Sequence, residues 1–180
     1  MGLEIFHDLG ADNLPDWILY PTGGGTGLVG IWKAFQELIG LGLINPKTHR
    51  LPRMVAVQGE NCAPVVESFE AGLDEVLPVE SMGTIADGLD VPGAIMGHSI
   101  LSTIRDSGGT AVAVSEEEIL NRFEDCGKAG VPASFESAAV VAALHRLLAI
   151  GIVARGERVL LLLTAGHFIP LGQREVPGWD

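Results

Sequence analysis

The sequence has little of what marks secreted, membrane-bound or nucleic-acid-binding proteins. It has only two cysteines, Cys62 and Cys126, which lie far apart and outside any Cys-x-x-Cys spacing. This disfavours a disulfide framework and favours a reducing, cytoplasmic location. Lys and Arg number 11 against 23 Asp and Glu, so the net charge is −12. Because a chain this acidic repels phosphate backbones, we expect no nucleic-acid partner.

Long apolar runs are also lacking, although 47% of the residues are apolar. No run reaches the roughly 18 residues that indicate a membrane span. The longest stretch, 138–154, is interrupted by His145 and Arg146, and we interpret it as a buried helix. The N-terminus has neither the basic region nor the apolar core of a signal peptide. We therefore expect no membrane association, and the apolar excess predicts that a partner segment covers some of the surface.

Side chains spaced as metal ligands are missing as well. The five histidines follow no ligand motif such as His-Glu-x-x-His, and the acidic run 116–118 is typical of a helix N-terminus. We therefore predict no metal site. The histidines are His7, His49, His98, His145 and His167.

What the sequence does contain is an alternation of short apolar runs and helical periodicities within 180 residues, a length that fits one domain, 1–180. Strands without polar alternation, separated by helices, predict an α/β fold with a mostly parallel sheet and helices on both faces. Ligands of such sheets bind at the carboxyl ends of the strands, which here are followed by loops 22–27 and 164–167. The predicted strands are 17–20, 54–57, 111–114 and 158–164, and the predicted helices are 3–9, 28–39, 61–71, 99–106, 115–128 and 134–150.

Capping residues mark two of these helices. Ser115 followed by Glu118 is a capping-box pattern, which predicts a helix start. Asn61 is the predicted cap of the helix that runs to about Ala71, and Gly72 is its predicted stop.

The stretch Pro-Thr-Gly-Gly-Gly-Thr-Gly at 21–27 separates the first strand from its helix. Three consecutive glycines allow a ligand to approach the backbone closely. The helix start adds unpaired N–H groups and a positive dipole end, and Thr22 and Thr26 add hydroxyl donors. The loop therefore predicts a phosphate site, although a ligand-free turn remains open. It is not a Walker loop, and a dinucleotide site is disfavoured because no acidic ribose partner follows at the expected distance.

Six ordered blocks of the sequence resemble threonine synthases. The family belongs to the pyridoxal-phosphate enzymes of fold type II, which also include the tryptophan synthase β subunit and threonine dehydratase. The blocks read PTGGGTGLVGIWKAF, PRMVAVQGENCAPVVESFEAG, TIADGLDVPGA, SILSTIRDSGGTAVAV, FESAAVVAAL and LLLLTAGH, at 21–35, 52–72, 84–94, 99–114, 135–144 and 160–167.

This resemblance implies a tryptophan-synthase-β-like fold, pyridoxal 5′-phosphate as cofactor and a small amino-acid substrate. It also implies that Thr164 faces the pyridine nitrogen and that Glu136 begins a helix. The sequence departs from the family pattern at Phe135 and Ser137, and at the TAGHF segment that follows the last strand. By the same resemblance, the phosphate of the cofactor is bound by backbone N–H groups of Gly23, Gly24, Gly25, Thr26 and Gly27.

The Schiff-base lysine of the family, in a Ser-x-Lys-Asp-type motif far N-terminal to the glycine loop, has no counterpart here. The only lysines are Lys33, Lys47 and Lys128. The first predicted helix also lies at the very start of the sequence, with no capping residue before it. We therefore expect a C-terminal portion, without catalytic residues of its own, that needs a missing N-terminal portion and forms a homodimer in the complete enzyme.

Three functions follow in order of preference. The first is part of a lyase that converts O-phosphohomoserine and water to threonine and phosphate. The second is another enzyme of the fold type, such as threonine dehydratase. The third is a non-catalytic ligand-binding module, which the absent lysine would explain.

Overall fold

The computed structural model describes residues 1–166, in which a four-stranded parallel sheet lies between two layers of helices. The strand order is β3-β2-β1-β4, so the predicted α/β architecture is confirmed. The strands are β1 Trp17–Pro21, β2 Arg53–Gly59, β3 Thr110–Val114 and β4 Val159–Leu161. The helices are α1 Gly2–Leu9, α2 Thr26–Gly40, α3 Pro64–Glu70, α4 Gly97–Asp106, α5 Glu116–Lys128 and α6 Phe135–Ala149, and short 3₁₀ turns lie at Ala11–Asn13 and Asp87–Leu89.

Both faces of the sheet are buried, which is why its strands are continuously apolar. Ile18 and Met54 face a core formed with α2, α3 and α4, whereas Leu19 and Val55 face a second core formed with α6. Side chains alternate between the two cores because successive strand residues point to opposite faces. Within the described residues, no helix is both long enough and apolar enough to cross a membrane.

The capping box predicted at the start of α5 is confirmed. The Ser115 hydroxyl accepts a hydrogen bond from the Glu118 N–H at 3.2 Å, and the Glu118 carboxylate accepts one from the Ser115 N–H at 2.8 Å. The same carboxylate pairs with Arg146 on α6 at 2.6 Å. Burial opposes ionisation of Glu118, but these hydrogen bonds and the Arg146 charge hold its pKa below the ordinary value. The Glu118 side chain that caps α5 therefore also links α5 to α6.

The predicted cap at Asn61 is wrong. Helix α3 begins at Pro64, with Ala63 as the capping residue, and the Asn61 side chain donates instead to the Gly83 carbonyl at 2.8 Å. The first N–H groups of α3 are satisfied from outside the helix, by the side chain of Gln58 on β2. The helix nevertheless ends as predicted, since Gly72 follows its last turn with a positive φ of 70°.

Strand β4 is shorter than the predicted 158–164. It pairs with β1 over Val159–Leu161, and the Leu162 N–H still donates to the Leu19 carbonyl at 3.1 Å. Alternate residues of β1 donate towards β4, beginning with Trp17 to Arg158. In this register Pro21 is the donor that would extend the ladder past Leu162, and proline has no N–H. The residue that precedes the glycine loop therefore ends the pairing and frees the chain after β4.

The turn between α4 and β3 depends on a close backbone approach at Gly109. The hydroxyl of Ser107 accepts a hydrogen bond from the Met54 N–H at 3.0 Å, which holds this turn directly against β2. A Cβ at position 109 would overlap the carbonyl oxygen of Met54. Because the obstacle is backbone in the middle of the sheet, it cannot move aside cheaply.

We therefore expect Gly109→Ala to lower the free energy of unfolding by about 1–3 kcal/mol, as other overpacking changes do. The matched change Gly127→Ala is on an open helix position, where no heavy atom lies within 4 Å of the added Cβ. It should stabilise the chain by up to about 1 kcal/mol, because alanine is the better helix former. Urea unfolding of both variants measures the difference, and equal midpoints for Gly109→Ala and wild type would contradict the prediction.

Candidate cofactor site

A cavity of about 390 Å³ opens at the carboxyl ends of β1 and β4. The strand order reverses between these two strands, since the chain goes from β1 to β2 on one side and returns to β4 on the other. Such a reversal leaves a crevice between the loops that follow the two strands. The cavity is lined by Tyr20, Pro21, Gly23, Gly24, Gly25, Thr26, Gly27, Gly88, Leu89, Glu136, Thr164 and Ala165. The structure thus brings all six sequence-predicted cofactor residues to one cavity.

The glycine loop presents backbone N–H groups that the described chain leaves unpaired. Gly25 is the capping residue of α2, and the first internal hydrogen bond of the helix runs from the Val29 N–H to the Gly25 carbonyl at 3.0 Å. In residues 1–166 no hydrogen bond is donated by the N–H groups of 23–28 to a loop or side-chain acceptor. Unpaired donors at the positive end of a 15-residue helix are the arrangement that binds a phosphate.

Two of the glycines differ in what the fold requires of them. Gly25 has a φ of 85°, and a Cβ there would overlap the Ile100 side chain, so the fold itself requires glycine. At Gly24 a Cβ would meet no heavy atom of the described chain within 4 Å, and φ is not in the left-handed region. The fold therefore does not explain the glycine at 24, whereas a ligand lying close to the backbone would.

The opposite wall is set by the first turn of α6. The carbonyl of Ala165 accepts hydrogen bonds from the Ser134 N–H at 3.1 Å and from the Ser137 hydroxyl at 3.0 Å. These bonds hold the segment after β4, and with it the exposed Thr164, at the rim of the cavity. Ser137 and Ala165 both lie where the sequence departs from the threonine synthase pattern, and here they contact each other. His167 lies outside the described residues.

Sequence reasoning missed two parts of the wall. Gly88 and Leu89 lie in a 3₁₀ turn whose Gly88 N–H donates to the Glu136 carboxylate at 2.9 Å, so Glu136 holds this turn at the cavity. Tyr20 covers Gly27, where any side chain would overlap its phenol, and burial raises the pKa of that phenol. The glycine at position 27 is only a weak indication that Tyr20 packs against it. No pattern near Gly88 or Glu136 in the sequence predicts that the two residues contact each other.

The charged residues of the cavity are few. Within the described residues, Glu136 is the one carboxylic acid that lines it, and no Lys, Arg or His does. None of the three lysines reaches the cavity, and Lys33 is exposed on α2 and paired with Glu37. No group of metal-binding side chains occurs in the part of the chain that the structure describes. Backbone donors therefore supply the positive potential for an anion, which fits a cofactor phosphate.

Cys62 is buried after β2 and does not line this cavity. Burial is the main reason that the pKa of its thiol is raised, and the nearby Asp90 carboxylate adds to it. A thiol that resists ionisation is a poor nucleophile. We therefore interpret Cys62 as a packing residue.

Comparisons with known proteins agree with a pyridoxal-phosphate cofactor. Residues 1–165 match the family described as pyridoxal-phosphate dependent enzyme. The threonine synthase of Methanosarcina acetivorans is 34% identical over 94% of this chain and 40% of that enzyme, and that of Methanocaldococcus jannaschii is 32% identical over 86% of this chain and 37% of that enzyme. The chain thus spans about two fifths of the curated relatives that it matches.

A solved structure shows the same fold. The crystal structure of a threonine deaminase from T.th. superposes with a TM-score of 0.67 at 26% identity, covering 94% of this chain and 57% of that one. The family match over residues 1–165 includes every described strand and the glycine loop. The chain therefore belongs to the family of pyridoxal-phosphate-dependent enzymes.

Proposed function

We propose that this chain supplies the cofactor-phosphate part of the active site of a threonine-synthase-type lyase, which converts O-phosphohomoserine and water to threonine and phosphate. The observation that carries the proposal is a row of N–H groups at 23–27 that the described chain leaves unpaired, in residues that line a cavity whose other wall holds Thr164. Both threonine synthase relatives cover this region at above 30% identity. The activity of those relatives supports the reaction named here.

The proposed roles of the residues follow from their places in the cavity. Pyridoxal phosphate, when bound, supplies an electron sink for the amino-acid substrate. Gly23, Gly24, Gly25, Thr26 and Gly27 bind its phosphate through backbone N–H groups, and the dipole of α2 adds favourable potential. The Thr164 hydroxyl is the proposed neutral partner of the ring nitrogen, which limits protonation of the ring.

Another reaction within the fold type is the second candidate. The structural similarity to a threonine deaminase supports it, because the two reaction types share the cofactor and the fold. The cavity does not discriminate between them, since all six predicted residues serve the cofactor rather than the substrate. The identity to two threonine synthases favours the first candidate.

The cofactor lysine is proposed to come from a segment that is not among these 180 residues, on the same polypeptide or on another. Two observations support it. Among residues 1–166, no lysine lines the cavity, and β4 pairs with β1 on one side only. Val159–Leu161 is only half-buried, and Leu163 is 45% exposed. An apolar edge strand of this kind is usually covered, so β4 is where we place the contact with that segment.

The remaining expectations are part of the same proposal. We propose that residues 1–180 form one domain, since the two cores share one sheet. A homodimer of the complete enzyme would cover exposed apolar side chains such as Met82 and Ile95. A cytoplasmic location agrees with the free thiols of Cys62 and Cys126.

The phosphate assignment predicts that Gly24→Asp weakens pyridoxal phosphate binding at least about tenfold, because a carboxylate would occupy and repel the phosphate position. Stability should be nearly unchanged, since position 24 has room for a side chain. Titration of the chain with the cofactor, followed by the quenching of protein fluorescence, measures the affinity. Gly127→Asp makes the same change at an open position on α5 and should bind like wild type. Equal affinity of the Gly24→Asp variant would refute the assignment.

The lysine assignment predicts that the chain alone has no threonine synthase activity and forms no covalent lysine adduct with its cofactor. Borohydride reduction followed by peptide mass spectrometry should find no stoichiometric label on Lys33, Lys47 or Lys128. Adding a segment that carries the Ser-x-Lys motif should restore both labelling, on its own lysine, and activity. Circular dichroism establishes that the isolated chain is folded. Stoichiometric labelling of Lys33 together with turnover by the isolated chain would show that the assignment is wrong.

A further inference from the structure

Gln58 is a fully buried polar residue near the carboxyl end of β2, and it does not line the cofactor cavity. Its carboxamide makes three hydrogen bonds, all to backbone. The Nε2 amide donates to the Thr22 carbonyl at 3.0 Å, while Oε1 accepts from the Val65 and Val66 N–H groups at 2.9 and 3.3 Å. A buried polar group without a hydrogen-bond partner lowers stability, and the Gln58 carboxamide avoids this cost. In each of its bonds, donor and acceptor are clearly assigned.

The two N–H donors fix which way the amide group faces. Val65 and Val66 lie in the first turn of α3, whose N–H groups have no partner within the helix. Only the carbonyl oxygen of the carboxamide can accept from them, so the NH₂ group must face Thr22. The start of α3 and the start of the glycine loop are thereby joined through one side chain.

Thr22 is held at each of its polar atoms. Its N–H donates to the Val57 carbonyl at 2.8 Å, its hydroxyl donates to the Tyr20 carbonyl at 2.9 Å, and its carbonyl accepts from Gln58. The peptide that joins Thr22 to Gly23 contains this last carbonyl, so the bond from Gln58 sets the plane of the first N–H group in the loop. From there the backbone has no further anchor in loop or side chain, within the described residues, until Gly25 accepts from Val29.

We infer that Gln58 is a positioning residue for phosphate binding, which orients the Thr22–Gly23 peptide and so aims the N–H groups of the glycine loop into the cavity. The inference rests on the proposed phosphate loop. This role requires glutamine rather than glutamate. An ionised carboxylate can accept from the N–H groups of α3 but cannot donate to the Thr22 carbonyl. Three flexible glycines follow, and a loop of that freedom binds an anion well only if its first peptide is fixed.

The test compares Gln58→Glu and Gln58→Met with wild type in the 180-residue chain, using pyridoxal phosphate as the probe. Loss of the bond to Thr22 should weaken cofactor affinity about tenfold in both variants. Gln58→Met is uncharged, so its loss of affinity separates the missing hydrogen bond from charge repulsion. Gln36→Glu, at an exposed position on α2, makes the same charge change and should bind within about twofold of wild type.

A second readout works without any ligand. In ¹⁵N-labelled protein, the amide signals of Thr22 to Gly25 should shift in both Gln58 variants, whereas those of α5 should not. If wild type binds no pyridoxal phosphate, the proposed function fails, and these signals still test whether Gln58 orients the Thr22–Gly23 peptide. Unchanged loop signals, wild-type affinity in the Gln58 variants, or shifts spread equally through α5 and α6 would each overturn the inference. Local shifts with weakened binding support it.

Discussion

The pairing of β1 with β2 on one side and β4 on the other determines where the site can form. Parallel pairing places the carboxyl ends of all three strands at one edge of the sheet. The reversal of strand order between β1 and β4 then opens a crevice at that edge. The glycine loop and Thr164, which are about 140 residues apart in the sequence, meet because these two strands are neighbours.

The proposed phosphate site also shows what would allow a strongly acidic chain to bind an anion. A net charge of −12 repels anions at long range, and no basic side chain of the described residues lines the cavity. Unpaired N–H groups and the dipole of α2 act over one turn of helix, where the bound group would lie. In the proposed site, local backbone donors would therefore decide binding, while the net charge would influence only how the ligand approaches.

Features that depend on a few neighbouring residues could be predicted from the sequence. The capping box of Ser115 and Glu118, the stop at Gly72 and the glycine loop are local patterns, and each lies where it was expected. The parallel sheet followed from strands buried on both faces. The assignment of Thr164 depended on the resemblance to threonine synthases, because a threonine after a strand carries no signal of its own.

Features that depend on tertiary contacts were not predictable in this way. The cap assigned to Asn61 was wrong because Gln58, on the preceding strand, already satisfies the N–H groups of α3. The length of β4 was overestimated because its partner ends in Pro21, a residue of another part of the sequence. The bond between Glu136 and the turn at Gly88 joins segments 48 residues apart, and neither segment carries a local signal for the other.

Three of the tertiary contacts have one effect in common, since each holds a segment next to the cavity in place. Gln58 fixes the start of the glycine loop, Glu136 fixes the turn at Gly88, and Ser137 fixes the carbonyl after Thr164. A phosphate bound by several weak backbone donors needs all of them aimed at one point, because each misplaced donor loses most of its contribution. The polar side chains of Gln58, Glu136 and Ser137 are therefore best understood as the support that the proposed phosphate loop would need to bind specifically.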